Sequence, residues 1–177
     1  IQKANTIISR VQAADEITEN DKNTINENNI FSIYYSEKKL WIGTKTGGLN
    51  IMDLEDYSIK VYTHDPNNPN SIPSNFIRDI LRAKDGSIWL ATDQGLALFD
   101  EETESFYTYK KNSDKYSICD DNIINLYEDR SGGIWIGTYN GISNFYINKE
   151  FKVYRNDPTD PNSLSNSSVC GIYEDDE

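Results

Sequence analysis

Three tryptophans, Trp41, Trp89 and Trp135, stand 48 and then 46 residues apart in a chain of 177 residues. The same phrase surrounds each of them: KKLWIGTKTGGLNIM (38–52), DGSIWLATDQGLALF (85–99) and SGGIWIGTYNGISNF (131–145). Other positions keep this register. Ile33, Ile80, Leu126 and Ile172 each follow eight residues after Ile25, Ile72, Ile118 and Leu164, and Tyr62, Tyr109 and Tyr154 close the units. The stretch DPNNPNSIPSN (65–75) returns as DPTDPNSLSNS (157–167). Such a period constrains the fold more than any composition value. A unit of this size cannot bury its own apolar face and must stack on a copy of itself.

Each unit reads as four short strands. Between residues 121 and 164, NIINLYED, IWIGT, ISNFY and FKVYR are β-branched and aromatic runs. They are separated by Gly-, Asn-, Asp- and Pro-rich turns, the pattern of strands rather than helices. Gly95 and Gly141 fall where a tight turn between the second and third strands needs positive φ, and Asp85–Gly86 and Gly132–Gly133 mark hairpin turns between the first and second. Four strands in about 45 residues, one carrying a Trp, describe a β-propeller blade. The expected fold is therefore all-β, a β-propeller fragment of four-stranded antiparallel blades. Blade 1 covers 28–73, blade 2 covers 74–119 and blade 3 covers 120–164. Residues 165–177 read as the first strand of a truncated fourth blade. Residues 1–27 are an N-terminal remnant that could complete a blade, and within it TIISRVQAADEI (6–17) reads as a short helix or a strand. The chain opens on Ile1 rather than Met, so it is expected to be processed or excised from something longer.

The bulk properties exclude several functions. A net charge of −12 opposes a nucleic-acid footprint, which needs clustered Lys and Arg, and opposes contact with anionic membrane surfaces. No apolar run reaches the length of a membrane span. Cys119 and Cys170 have neither metal nor disulfide-framework spacing and are expected as free thiols. The lone His64 rules out a multi-His metal site and reads as a loop residue. No metal or cofactor is expected. The DPNNPNS and DPTDPNS loops offer oxygens of the kind Ca²⁺ favours, but without EF-hand spacing they read as turn formers.

Taken together, these phrases resemble the two-component regulator propeller repeat. NLYEDRSGGIWIGTYNGISNF (125–145) fits its pattern closely. DILRAKDGSIWLATDQGLALFD (79–100) fits with Ala91 in place of a motif glycine. SIYYSEKKLWIGTKTGGLNIMD (32–53) fits with a shortened, Gly-free first turn. The resemblance covers about residues 28–177. It implies the extracytoplasmic, periplasmic or cell-surface sensor region of a membrane-anchored bacterial signalling protein, such as a histidine kinase, a hybrid two-component system or a diguanylate cyclase. It further implies a non-catalytic sensing role, with oligosaccharides or similar polar molecules as ligands. No nucleotide motif or phospho-acceptor context for kinase chemistry occurs in this chain.

Three full blades are fewer than the four to eight that usually close a ring. Association of two chains into a homodimer that completes the ring is therefore expected. A ligand is expected at the end of the blades where the long connections between them meet the turns between second and third strands. Residues freed from building the blade vary between copies: Arg78 and Asp79 on the channel-lining strand, and Lys45, Gln94, Tyr139 and Asn140 in the turns. A guanidinium and a carboxylate near a tyrosine suit a polar ligand. The competing assignment makes these solvated turn residues, or pairs Arg78 with Asp79 or a neighbouring blade. Trp41, Trp89 and Trp135 are expected as packing between blades. Two other functions compete with sensing. One is a protein-interaction or dimerisation scaffold without a small-molecule ligand. The other is a glycan-active enzyme, for which no pair of carboxylates stands out.

Overall fold

The computed structural model describes residues 24–114, 116–146 and 150–175. The expected helix or strand at 6–17 and most of the N-terminal remnant lie outside them. The described residues contain twelve strands: β1 (Ile30–Ser36), β2 (Lys39–Thr44), β3 (Leu49–Asp53), β4 (Ile59–Tyr62), β5 (Ile77–Arg82), β6 (Ile88–Thr92), β7 (Gly95–Asp100), β8 (Ser105–Tyr109), β9 (Ile123–Glu128), β10 (Ile134–Thr138), β11 (Gly141–Phe145) and β12 (Lys152–Tyr154). They form three four-stranded sheets, β1-β2-β3-β4, β5-β6-β7-β8 and β9-β10-β11-β12, each an antiparallel meander. These are propeller blades, and the three do not close into a ring.

The turns obey the chemistry of their residues. Gly95 and Gly141 have φ of 129° and 119°, where a side chain would be strained. The preceding strand ends on a buried threonine in every blade. The Thr44, Thr92 and Thr138 hydroxyls donate to the carbonyls of Gly48, Gly95 and Gly141 at 2.9, 2.7 and 2.8 Å. The first turn of blade 1 lacks glycine, and Glu37 and Lys38 take positive φ of 51° and 65° instead.

Blades stack through their tryptophans. Trp41 of blade 1 packs edge-on against Phe99 of blade 2 at 5.6 Å, and Trp89 of blade 2 against Phe145 of blade 3 at 5.1 Å. Both tryptophans are buried in the two cores that lie between blades, not within them. Trp135 differs: it is half-buried, stacks on Tyr154 of its own blade at 6.0 Å, and donates from Nε1 to Asp129 at 2.7 Å. Residues 172–175 line a cleft beside it. Those residues, in the segment expected to open a fourth blade, form no strand ladder; 165–175 is tied to blade 3 by Val169 N–H donating to the Thr138 carbonyl at 2.9 Å.

A charged clasp crosses each junction near the first turn. Glu37 of blade 1 meets Arg82 of blade 2 at 3.0 Å. In the next junction Lys84 donates from its backbone N–H to the Glu128 carboxylate at 2.8 Å, and from Nζ to the Asp129 carbonyl at 2.8 Å. After blade 3, Arg130 donates from its backbone N–H to Glu174 at 3.0 Å. The same two register positions are used each time, but the signs are reversed at the first junction.

Long loops join the blades. In 65–71, Asp65 Oδ1 accepts from Asn67 N–H, Asn68 Oδ1 from Asn70 N–H, and Ser71 Oγ from Asp65 N–H, at 2.9–3.0 Å. The 157–163 loop repeats this with Asp157, Asp160 and Ser163. These oxygens are spent on the backbone turns that Asp and Asn favour. The first loop then drops Ile72 into the core; at the same register position Ile25 and Ile118 are buried too, and Leu164, after the 157–163 loop, is half-buried. His64 belongs to the first of these loops. Its Nδ1 lies 2.8 Å from the Ile72 carbonyl, and its backbone N–H donates to Asn75.

Candidate ligand-binding site

The first strand of each blade carries a bulge at one repeated position. Register slips between Ile30 and Ser32, between Ile77 and Asp79, and opposite Gly137–Thr138. The extra residues are Phe31, Arg78 and Ile124. A bulge leaves its extra residue outside the ladder and re-aims its side chain. The three blades therefore present different chemistry from one equivalent place.

Arg78 is the most tightly held of these. Its Nη1 donates to the Asn122 side-chain oxygen and, at 2.7 Å, to the Ile123 carbonyl at the start of β9. Its guanidinium carbon lies 4.5 Å from the centre of the Phe76 ring and 5.5 Å from that of Tyr139. Phe31 of blade 1 then meets Phe76 edge-on at 4.7 Å. A line of contacts thus runs from Phe31 in blade 1, through Phe76 and Arg78 in blade 2, to Tyr139 in blade 3. Arg78 and Tyr139, both anticipated from the sequence, come together here. Phe76 and Asn122 were missed. They occupy the same register position as Asn29, so their departure from one another was the available signal.

Asp79 turns away from Arg78. Its Oδ1 accepts from Ile80 N–H at 2.9 Å and its Oδ2 from Leu126 N–H of the next blade at 2.8 Å. Burial pushes this carboxyl above its ordinary value, against the two N–H donors that pull it down. The residues opposite explain the geometry. Ser32 pairs with Gly43 and Asn125 with Gly137 in the ladder, and a methyl group on either glycine would collide with the facing side-chain oxygen. Blade 2 has Ala91 there, and Asp79, its partner, reaches instead to blade 3. Ala91, a departure from the repeat pattern, is thus accommodated by the aspartate opposite it.

The remaining candidates do not converge on Arg78. Lys45 is exposed and is fixed through its backbone N–H, which donates to Asn29 at 3.0 Å. Gln94 is exposed, its N–H donating to Thr92 Oγ1 at 3.1 Å. Asn140 donates from N–H to Thr138 Oγ1 at 3.1 Å and accepts at its carbonyl from Arg155 Nε at 3.1 Å. Cys119 is buried and Cys170 exposed, both as free thiols.

The model of the two-component regulator propeller matches residues 71–94 and 117–140, the stretches that carry the bulge and the Trp strand of blades 2 and 3. Those two segments, 48 of the 177 residues, are similar to the two-component regulator propeller repeat. Solved propellers share the fold of this repeat array. The extracellular domain of a one-component system from B. thetaiotaomicron superposes with a TM-score of 0.61 at 20% identity, covering 91% of this chain and 26% of that one. The extracellular domain of a hybrid two-component system from the same organism gives 0.56 at 20% identity, covering 90% and 32%. Virginiamycin B lyase from Staphylococcus aureus gives 0.55 at 17% identity, covering 81% and 44%. The chain therefore spans less than half the length of these solved chains. No curated protein matches the chain by sequence. Among the described residues, no helix is long and apolar enough to cross a membrane.

Proposed function

We propose that this chain is part of the ligand-sensing, extracytoplasmic propeller of a bacterial two-component sensor. It binds an oligosaccharide or a similar polar molecule and does not transform it. The observation that carries this reading is the line from Phe31 to Tyr139, built from residues that differ between blades, with Phe31 and Arg78 at a bulge common to all. Such a surface joins three blades through side chains that the repeat itself does not require. The propeller repeats and the extracellular sensors that share the fold support both the location and the role. Thermal unfolding in the presence of a panel of neutral and acidic oligosaccharides tests the reading. At least one oligosaccharide should raise the Tm of the chain without being consumed. Stabilisation by none sinks the sensing role, and turnover of any sugar replaces it with an enzyme.

A scaffold role has its own support. Ile33 is 60% exposed, whereas its counterparts Ile80 and Leu126 are 7% and 8% exposed beneath the preceding blade. Tyr35 beside it is exposed as well. This face suits a second copy of the chain, which would extend the blade array as a homodimer. Sedimentation equilibrium across a concentration series tests this. A dimer that Ile33→Glu dissociates supports it, and a monomer at every concentration refutes it.

A further inference from the structure

The geometry points to an acidic sugar as the ligand of the Arg78 site, one that sets a carboxylate against the guanidinium and lays its ring along Tyr139. This inference rests on the sensing role proposed above and narrows it to one ligand class. Three observations lead to it.

The first is that Arg78 is restrained before any ligand arrives. Asn122 and Ile123 fix Nη1, and the Phe76 and Tyr139 rings lie beside the guanidinium carbon. An Arg fork that keeps its orientation loses little rotational freedom on binding. The second is that no carboxylate balances it. The chain has 29 Asp and Glu against 17 Lys and Arg, yet among the described residues Arg78 forms no ion pair, and its neighbour Asp79 serves the backbone instead. Nε and Nη2 have no hydrogen-bond partner among the described residues. These edges match the two oxygens of a carboxylate. The third is the exposed aromatic ring beside it: Tyr139 is 55% exposed and its ring centre lies 5.5 Å from the guanidinium carbon, while Phe31, 48% exposed, stands one ring further along, against Phe76. An exposed ring beside a fixed cation offers a stacking platform for the C–H face of a pyranose.

A carboxylate fits better than a dianionic phosphate. Arg78 is a single positive charge in a chain of net charge −12, and the long-range field of that chain repels a second negative charge on the ligand.

The test uses the chain and four simple sugars, glucuronate, galacturonate, glucose and galactose, at millimolar concentration. Saturation-transfer NMR reads weak binding directly. The uronates should bind at least about tenfold more tightly than the neutral hexoses, a margin a charge-assisted contact supplies. Arg78→Lys should remove most of that margin; it also alters the contacts with Asn122 and Ile123, so its binding is read well below its own measured Tm. Tyr139→Ala, on an exposed turn, should weaken uronates and hexoses alike by severalfold. Equal binding of uronates and hexoses, or a margin that survives Arg78→Lys, overturns the acidic-ligand inference and leaves sugar sensing standing. Absence of binding by all four sugars, together with no stabilisation by the oligosaccharide panel, overturns both.

Discussion

Asp79 is the side chain whose replacement is most informative about how the blades are held together. It lies on an innermost strand, where each sheet has a free edge and backbone donors face the middle of the array. Its carboxylate takes two of them, Ile80 N–H at 2.9 Å and Leu126 N–H at 2.8 Å, and Ile80 and Leu126 are themselves buried. Asp79→Ala leaves both donors without an acceptor. Each such loss costs about 1–3 kcal/mol, and entry of water between the blades favours the lower half, so the total is about 2–4 kcal/mol. For a domain of this length that lowers Tm by roughly 4–16 °C. Asp79→Asn is gentler, because the amide retains one acceptor and sheds the burial cost of a charge. It should stay within about 1 kcal/mol of the parent at neutral pH. The pH dependence separates the two contributions. Burial raises the folded-state value above that of the unfolded chain, so the fold prefers the protonated form. The stability from this group is therefore fully present below the ordinary carboxylate range and is lost as pH rises through the raised value. Thermal unfolding of the parent and Asp79→Asn across acidic to neutral pH should show the parent's advantage shrinking as pH rises. An advantage that grows with pH, or a loss below about 1 kcal/mol for Asp79→Ala, would refute the account.

Three smaller perturbations follow from the turns and clasps. Lys38→Gly relieves a positive φ of 65° at the cost of an exposed contact with Glu55, and should raise stability by up to about 1 kcal/mol in denaturant titration. Gly141→Ala sets a methyl 2.5 Å from the Tyr154 carbonyl at a φ of 119°, and should cost about 2 kcal/mol or more by the same measurement. A double-mutant cycle on Glu37 and Arg82 should give a coupling of about 0.2–1 kcal/mol that weakens with added salt, since the glutamate side is largely exposed.

Much of the architecture was legible because it is repeated. Trp41, Trp89 and the glycines of the turns announce their roles three times over, and the structure places two of the three tryptophans between blades as expected. Trp135 departs from the pattern because the described residues include no fourth sheet to pack on it, and residues 172–175 line the cleft beside it. The candidate site was legible in part. Arg78 and Tyr139 stood out by differing from their counterparts, and they do converge. Asp79 stood out for the same reason, yet its difference compensates for Ala91 across the ladder. Variation within a repeat marks both kinds of residue alike, and only the register separates them. Phe76 and Asn122 escaped notice because their contacts with Arg78 depend on the bulge, which arises from ladder geometry and has no residue signature of its own.

The clasps between blades carry a consequence for the evolution of such arrays. At the first junction the turn is acidic and its receiver basic, Glu37 against Arg82; at the second the turn residue is Lys84 and the receiver Glu128. A tandem copy of blade 2 would set Lys84 against a second Arg82, and joining blade 1 directly to blade 3 would set Glu37 against Glu128. Either rearrangement brings like charges together. The charges at these two register positions thereby favour one order of the modules, so that duplication and deletion of blades meet an electrostatic penalty before any ligand is involved.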